Sequence, residues 1–242
     1  MTRPRLDVAD VIRSCYDEFL ERYGAGLTPA QRRALDDLTA CRTAAPGGHV
    51  LGCPVCGHQQ ISYNSCGNRH CPKCYGTAAA RGMEAQAADV LEVPSFHIVF
   101  TLPAALNPIA LAGPREVYGL LMRAAAETLI EVAADPRHPG AEVGVLAVLH
   151  TWGQNLEPHP HVHCVVPGGG PSPDGTRRVG SRPGFFLPVR VLSRVFRGMF
   201  LAGLRAAFAA GRVRLASEPD PPAGREEFER RVSEAVRTDW VV

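Results

Sequence analysis

Two strings in this 242-residue sequence hold residue types and spacings that could do chemistry: paired cysteines, and histidines at alternate positions. Cys53-Pro54-Val55-Cys56 and Cys71-Pro72-Lys73-Cys74 are two CxxC units separated by fourteen residues. Two residues between thiolates let a tight turn aim both sulfurs at one ion, and two such turns complete the tetrahedral shell that structural zinc prefers. Gly57 follows the first pair, where a turn at positive φ favours glycine. The spacing predicts a closed Zn²⁺ site held by Cys53, Cys56, Cys71 and Cys74, ahead of an iron–sulfur cluster or a chance set of buried thiols. Cys66 and His70 are left over, with His49, His58 and, further upstream, Cys41. Cys66 and His70 are the candidates for a second zinc, and equally for packing or hydrogen bonding. Cys15 and Cys164 read as small buried hydrophobes. Arg69 and Lys73, beside and between the second pair, would give the module positive charge suited to a nucleic-acid backbone.

The second string is His159-Pro160-His161-Val162-His163. In a strand alternate side chains share a face, so His161 and His163 project together while Val162 points into the opposite layer. Two imidazoles at this spacing can chelate one divalent ion. They leave coordination positions open, and an oxygen donor usually helps to hold a hard ion. Gln154, at the end of the preceding strand, is the candidate third ligand, with Glu157 and His150 as alternatives.

The elements that must position these groups are legible in outline. Val8, Val11, Ile12, Cys15 and Phe19 share a helical face over residues 7–23, stopped by Gly24. A second helix starts with Thr28 as N-cap, Pro29 in its first turn and Gln31 completing a capping box, and runs to about Arg42. Residues 45–75 have no usable periodicity and need something other than an apolar core to fold them. A helix over 78–91 precedes a strand at 95–102, with Phe96, Ile98, Phe100 and Leu102 against His97, Val99 and Thr101. A long helix covers 114–134. The nearly continuous apolar run 143–152 reads as a central strand, and 161–166 as another, stopped by Pro167-Gly168-Gly169-Gly170. A helix over 188–210 turns Leu192, Val195, Phe196, Met199, Phe200, Leu204 and Phe208 inward. The Pro-rich link 219–224 precedes a short charged helix. The division expected is a helical and zinc-binding domain over 1–92 and a second domain over 93–242.

Composition bounds the rest. Net charge is +2, so the overall balance does not announce a nucleic-acid binder. Its distribution says more: from Arg177 to Arg214 there are nine arginines and no acidic residue. Arg177, Arg178, Arg190 and Arg194 are the candidate phosphate contacts in that stretch, against the alternative of a solvated face in an arginine-biased protein. No apolar run approaches the ~20 residues that span a bilayer, and Met1–Asp10 has no apolar signal core. A cytoplasmic protein is expected, in which clustered cysteines point to metal rather than disulfides.

Asn64-Ser65-Cys66-Gly67-Asn68-Arg69-His70-Cys71-Pro72-Lys73-Cys74 resembles the zinc-binding domain of rolling-circle transposases of the insertion-sequence-ninety-one family, within the HUH endonucleases. Phe96-His97-Ile98-Val99-Phe100-Thr101-Leu102-Pro103 is similar to that family's first motif. His150–Leu156 and His159–Gly170 are similar to its second. The resemblance implies an α+β protein: N-terminal helices and a zinc-ribbon-like module, then a ferredoxin-like antiparallel sheet with flanking helices and the HUH histidines on a central strand. It implies Mg²⁺ or Mn²⁺ at those histidines. Gln154, seven residues before His161, resembles the third ligand of related replication initiators. It also implies single-stranded or hairpin DNA at element ends as substrate, with a tyrosine attacking the scissile phosphate to leave a 5′-phosphotyrosine.

One departure stands out. The family's catalytic tyrosines follow a Trp-Val-Val string like Trp240-Val241-Val242, where this sequence stops. Tyr16, Tyr23, Tyr63, Tyr75 and Tyr118 all precede the histidines and match no motif. The expectation is an incomplete HUH domain that binds DNA and metal but cannot nick. Two rivals remain. One is a zinc-ribbon DNA-binding module with structural histidines. The other is a histidine-triad nucleotide hydrolase with His161 as nucleophile, which Pro160 disfavours because proline removes a ladder hydrogen bond.

Overall fold

The computed structural model describes residues 6–89, 93–182, 184, 186–213, 215 and 221–242. They form two compact units, divided between Val90 and Leu91.

In the first unit, helix α1 (Val8–Tyr23) is capped by Asp7, whose carboxylate accepts from the Ala9 and Asp10 N–H groups while Asp10 reaches back to the Asp7 N–H. Helix α2 (Pro29–Ala40) begins with the capping box of Thr28 and Gln31 expected from the sequence. Strands β1 (Gly48–Gly52) and β2 (Gln59–Tyr63) make an antiparallel hairpin in the segment without periodicity. All ten of their residues are exposed. Alternation is written into a strand only where one face is buried, which is why the sequence gives no sign of these two. Helix α3 (Pro72–Asp89) starts earlier than the alanine-rich composition indicated, with Pro72 in its first turn. The apolar face read for α1 is only partly covered: Ile12 packs on Leu38 and Cys41, whereas Val8, Val11 and Phe19 stay exposed.

The second unit runs β3 (Ser95–Thr101), α4 (Asn107–Ala112), α5 (Pro114–Ala134), β4 (Leu146–Trp152), β5 (Pro158–Pro167), the short pair β6 (Gly169–Pro171) and β7 (Arg178–Gly180), α6 (Val189–Ala209) and α7 (Pro221–Arg237). Strands β3, β5 and β4 form an antiparallel sheet in that order. The Val241 carbonyl accepts from the Thr101 N–H at 3.1 Å, so the C-terminal stretch lies along the free edge of β3. Taken in chain order, β3, α5, β4, β5, α6 and this edge segment follow the β-α-β-β-α-β path of the ferredoxin-like fold. The apolar run at 143–152 is an edge strand, not a central one. Its side chains alternate between half-buried and exposed, because one face of the sheet is left open.

Helices α5 and α6 pack on each other, and α5 packs on β4 and β5. Leu192, Phe196, Phe200 and Leu204 of α6 are buried, as its periodicity required, with Val195, Met199 and Phe208 partly so. The rings of Phe100 and Phe196 sit 4.8 Å apart, and Trp240 closes on Phe196 at 5.3 Å. The indole N–H of Trp240 donates to the Ala235 carbonyl at 2.8 Å. Among the described residues no helix is long and apolar enough to cross a membrane.

The glycine run after β5 has a packing reason. A Cβ on Gly170 would lie 1.8 Å from the Glu142 carbonyl oxygen, and Glu142 N–H donates to the Pro171 carbonyl beside it. Backbone lies on backbone there, as glycine in a strand often signifies. Gly170→Ala should therefore cost ~1–3 kcal/mol, lowering Tm by roughly 3–10 °C. Gly198→Ala, in α6 with nothing within 4 Å of its Cβ position, should raise it slightly through helix propensity. Thermal unfolding followed by circular dichroism checks both signs.

Candidate functional site

Four sulfurs meet in the first unit, but they are not the four that the spacing predicted. Ligand atoms of Cys41, Cys66, Cys71 and Cys74 all lie within 4.8 Å of one another. The Sγ atoms of Cys41 and Cys74 are 3.6 Å apart, and those of Cys66 and Cys74 3.7 Å. Tetrahedral coordination at a Zn–S distance of ~2.3 Å separates sulfurs by ~3.8 Å, so the donor set fits zinc. Cys41 caps the C-terminus of α2, and Cys71 and Cys74 bracket the start of α3. Cys66 lies in the loop between, where Gly67 takes φ +63°. Asn68 ties that loop to α2: its amide donates to the Asp37 carboxylate at 2.9 Å, and its backbone N–H points at the Cys66 sulfur.

Cys53 and Cys56 are corrected out of this shell. They sit exposed at the tip of the β1–β2 hairpin, where Cys53 N–H donates to the His58 carbonyl and Gly57 adopts φ +70°. Five paired residues on each strand carry that tip ~17 Å from the hairpin base. The base is the end next to the cluster, since the Arg42 N–H donates to the Asn64 carbonyl. The second-zinc pairing is corrected as well, because Cys66 belongs to the four-sulfur group and His70 does not. Cys41 was the residue that spacing undervalued; its one signal was its place at the end of a well-marked helix. Burial pushes the Cys41 and Cys66 thiols up, Cys66 to about 12. Burial opposes the ionisation of Cys74 too, but the Gly67 N–H and the surrounding thiols bring it down to about 7. A cation entering the cluster would displace the thiol protons.

In the second unit, β5 separates its side chains as alternation demands. Val162, Cys164 and Val166 are fully buried, while His161 and His163 lie on the open face. His150 of β4 stands directly opposite His161, and ligand atoms of His150, His161 and His163 lie within 4.8 Å of one another. A register shift between His150 and Trp152 marks a bulge at the site, the usual device for re-aiming a side chain. Of the three candidates for third partner, His150 joins the pair. Gln154 is exposed in the β4–β5 turn and lines the same open cleft of about 960 Å³. Glu157 also lines it, and its carboxylate accepts from the Asn155 amide at 2.8 Å. His161 Nδ1 lies 2.6 Å from the His159 carbonyl oxygen, and His163 Nδ1 lies 2.8 Å from His97 Nε2. Partial burial, followed by the charges that His150, His161 and His97 would carry, lowers the pKa of His163, in the direction that favours the neutral form a metal needs.

The basic candidates divide. Arg177, Arg178, Arg190 and Arg194 are exposed, the first two on the β6–β7 hairpin and the others on the outer side of α6. Arg69 is exposed with its Nε 3.4 Å from His70 Nε2. Lys73 is engaged within the protein, its ammonium 2.6 Å from the Asp7 carboxylate at the cap of α1. Tyr118, the one tyrosine in residues 93–242, sits on α5 against the core side of the sheet, and burial raises its phenol pKa.

Residues 11–102 match the family model described as "Transposase zinc-binding domain", and residues 144–242 the one described as "Putative transposase". The chain is 52% identical over all 242 residues to "Putative transposase y4qJ" of Sinorhizobium fredii, covering 61% of that protein. It is 34% identical over 158 residues to "Transposase for insertion sequence element IS801" of Pseudomonas savastanoi pv. phaseolicola, which is 64% of this chain and 37% of that protein. The chain thus spans about three fifths and just over a third of the lengths of these two relatives. No solved structure matches it. Two transposase domain models in succession, and a transposase relative along the whole sequence, make this chain similar to transposases, in agreement with the resemblance read from its motifs.

Proposed function

We propose that the chain is the DNA-binding and metal-binding part of a transposase that nicks and rejoins single strands through a 5′-phosphotyrosine. The observation that carries this reading is the convergence of His150, His161 and His163 on the open face of the sheet. Three imidazole nitrogens suit a borderline divalent ion better than a hard one. Gln154 and the substrate phosphate would add oxygen donors, so Mn²⁺ should bind more tightly than Mg²⁺. Once bound, the ion would draw charge from a non-bridging phosphate oxygen as that charge grows toward the transition state. A tyrosine oxygen, its proton lost, forms the new bond to phosphorus. The P–O3′ bond breaks, and the 3′ oxygen takes up a proton. Covalent capture conserves the phosphoester for rejoining.

Single-stranded or hairpin DNA fits the surroundings of the histidines. Trp152 is 54% exposed beside them, and Val148 and Val165 are exposed on the same face. An indole next to a cation site suits an unpaired base with its phosphate. The arginines at 177, 178, 190 and 194 would track the backbone, with Arg69 as a contact of the zinc module. The four cysteines at 41, 66, 71 and 74 would hold one structural Zn²⁺. A cytoplasmic location suits such an activity.

Tyr118 faces the core, and the tyrosines of the first unit lie outside any motif like the family's. We therefore expect this chain alone to retain DNA without cutting it. Incubated with a labelled single-stranded oligonucleotide pool and Mn²⁺, it should hold DNA on a filter and give neither cleavage nor a protein-linked product. A covalent adduct would make one of the five tyrosines in this sequence the nucleophile.

Zinc content separates the two cysteine sets. The purified chain should carry about one equivalent. Cys41→Ser should lose most of it and unfold the first unit, whereas the double variant Cys53→Ser, Cys56→Ser should keep it. Elemental analysis decides. Full zinc in Cys41→Ser would return the assignment to the CxxC pairs.

A further inference from the structure

The motif around His97 has no part in the chemistry above, yet its histidine touches the metal candidates. We propose that His97 is a positioning residue that sets the tautomer and ring orientation of His163; the inference rests on the metal-site reading just given. His97 lies on β3 opposite Val165, and Val99 lies opposite His163, so His97 is the diagonal neighbour of His163 on the open face. Its Nε2 is 2.8 Å from His163 Nδ1. The two rings stack with centroids 5.0 Å apart and planes 6° from parallel. His97 stands outside the group of three whose ligand atoms converge. It contacts one candidate ligand from behind, as an outer-shell partner does.

The need for such a partner follows from where His163 sits. His161 satisfies its Nδ1 with the carbonyl of His159, a residue paired in neither ladder. His163 is in the middle of the central strand and is paired on both sides, with Val99 and with Val148. Nearby carbonyls there are committed to the ladders, so an acceptor for its Nδ1–H has to come from a side chain on the next strand. Only one arrangement of the pair leaves His163 open to a cation. If His163 Nδ1–H donates to His97 Nε2, the lone pair on His163 Nε2 is free. If His97 Nε2–H donates instead, the proton of neutral His163 moves to its own Nε2 and closes it. Metal binding therefore selects the state in which His97 accepts, with its own proton on Nδ1.

The test uses the whole chain and Mn²⁺ alone as probe. His97→Phe keeps a stacking ring and removes the acceptor; His97→Gln restores an acceptor oxygen; His161→Ala controls for the metal site itself. Affinity is read by Mn²⁺ electron paramagnetic resonance. The His163 tautomer is read in the metal-free protein by two-bond ¹H–¹⁵N correlation. We expect His97→Phe to weaken Mn²⁺ by ~10-fold or more and to turn His163 from the Nδ1–H form to a mixture, with the melting curve unchanged and both effects largely reversed in His97→Gln. Wild-type affinity and an unchanged tautomer in His97→Phe would overturn the role of His97 while leaving the metal site standing. A wild-type chain that binds Mn²⁺ no better than His161→Ala would overturn the metal site, and the positioning role with it.

Discussion

The two-residue period of β5 is the constraint on which the second unit depends. Val162, Cys164 and Val166 are fully buried and anchor the sheet to α5, in the core that α6 also lines. His161 and His163 are thereby committed to the other face, since neighbouring residues of a strand cannot share one. Cys164 makes the point chemically. A thiol adjacent to two imidazoles would be a natural metal ligand, yet the pleat turns it into the core, where burial pushes it up to about 11. Slipping the strand by one residue would bury the histidines and expose the valines. The apolar core thus fixes the register of the site as firmly as it fixes the fold.

The first unit is organised differently. Among its described residues only Ala9, Leu38, Cys41 and Cys71 are buried apolar side chains, and two of those are members of the sulfur cluster. A unit of this size with so little apolar burial lacks the usual driving force. The sulfurs take its place, joining the end of α2, the loop after β2 and the start of α3 at one point. The hairpin β1–β2 then needs no buried face of its own, which accounts for ten exposed strand residues that no periodicity marks.

What could be read from the sequence, and what could not, follows from these two modes of construction. The capping box of Thr28 and Gln31 at the start of α2 and the inner face of α6 were legible because local geometry alone writes them. The pairing of His161 with His163 was legible for the same reason. His150 required knowledge of strand pairing: its position opposite His161 depends on the β4–β5 turn and on the bulge before Trp152, neither of which leaves a mark in residue spacing. The cysteines misled in an instructive way. Two CxxC units read most simply as one shell, but the first lies at the far tip of a hairpin, and a hairpin's length carries its tip away from its base. Cys41, without a paired partner in sequence, takes its place because the end of α2 and the start of α3 meet at the sulfur cluster. Loop closure over such separations costs only a slowly growing entropy, so sequence distance was a poor guide to membership.

The same contrast bears on how the two kinds of candidate residue can act. His150, His161 and His163 stand on hydrogen-bonded strands whose register is held from behind by the core, and sites on such elements are positioned more tightly than sites on loops. A cation bound there would meet donors that need small side-chain adjustments and no backbone rearrangement. The arginines at 177, 178, 190 and 194 lie instead on a short hairpin and on the solvent side of a helix, with long side chains in water. Phosphate contacts of that kind add affinity without demanding exact placement. On the function proposed above, the most rigid positions would serve the atoms at which bond-making requires sub-ångström placement, and the adaptable ones a DNA backbone that is itself flexible.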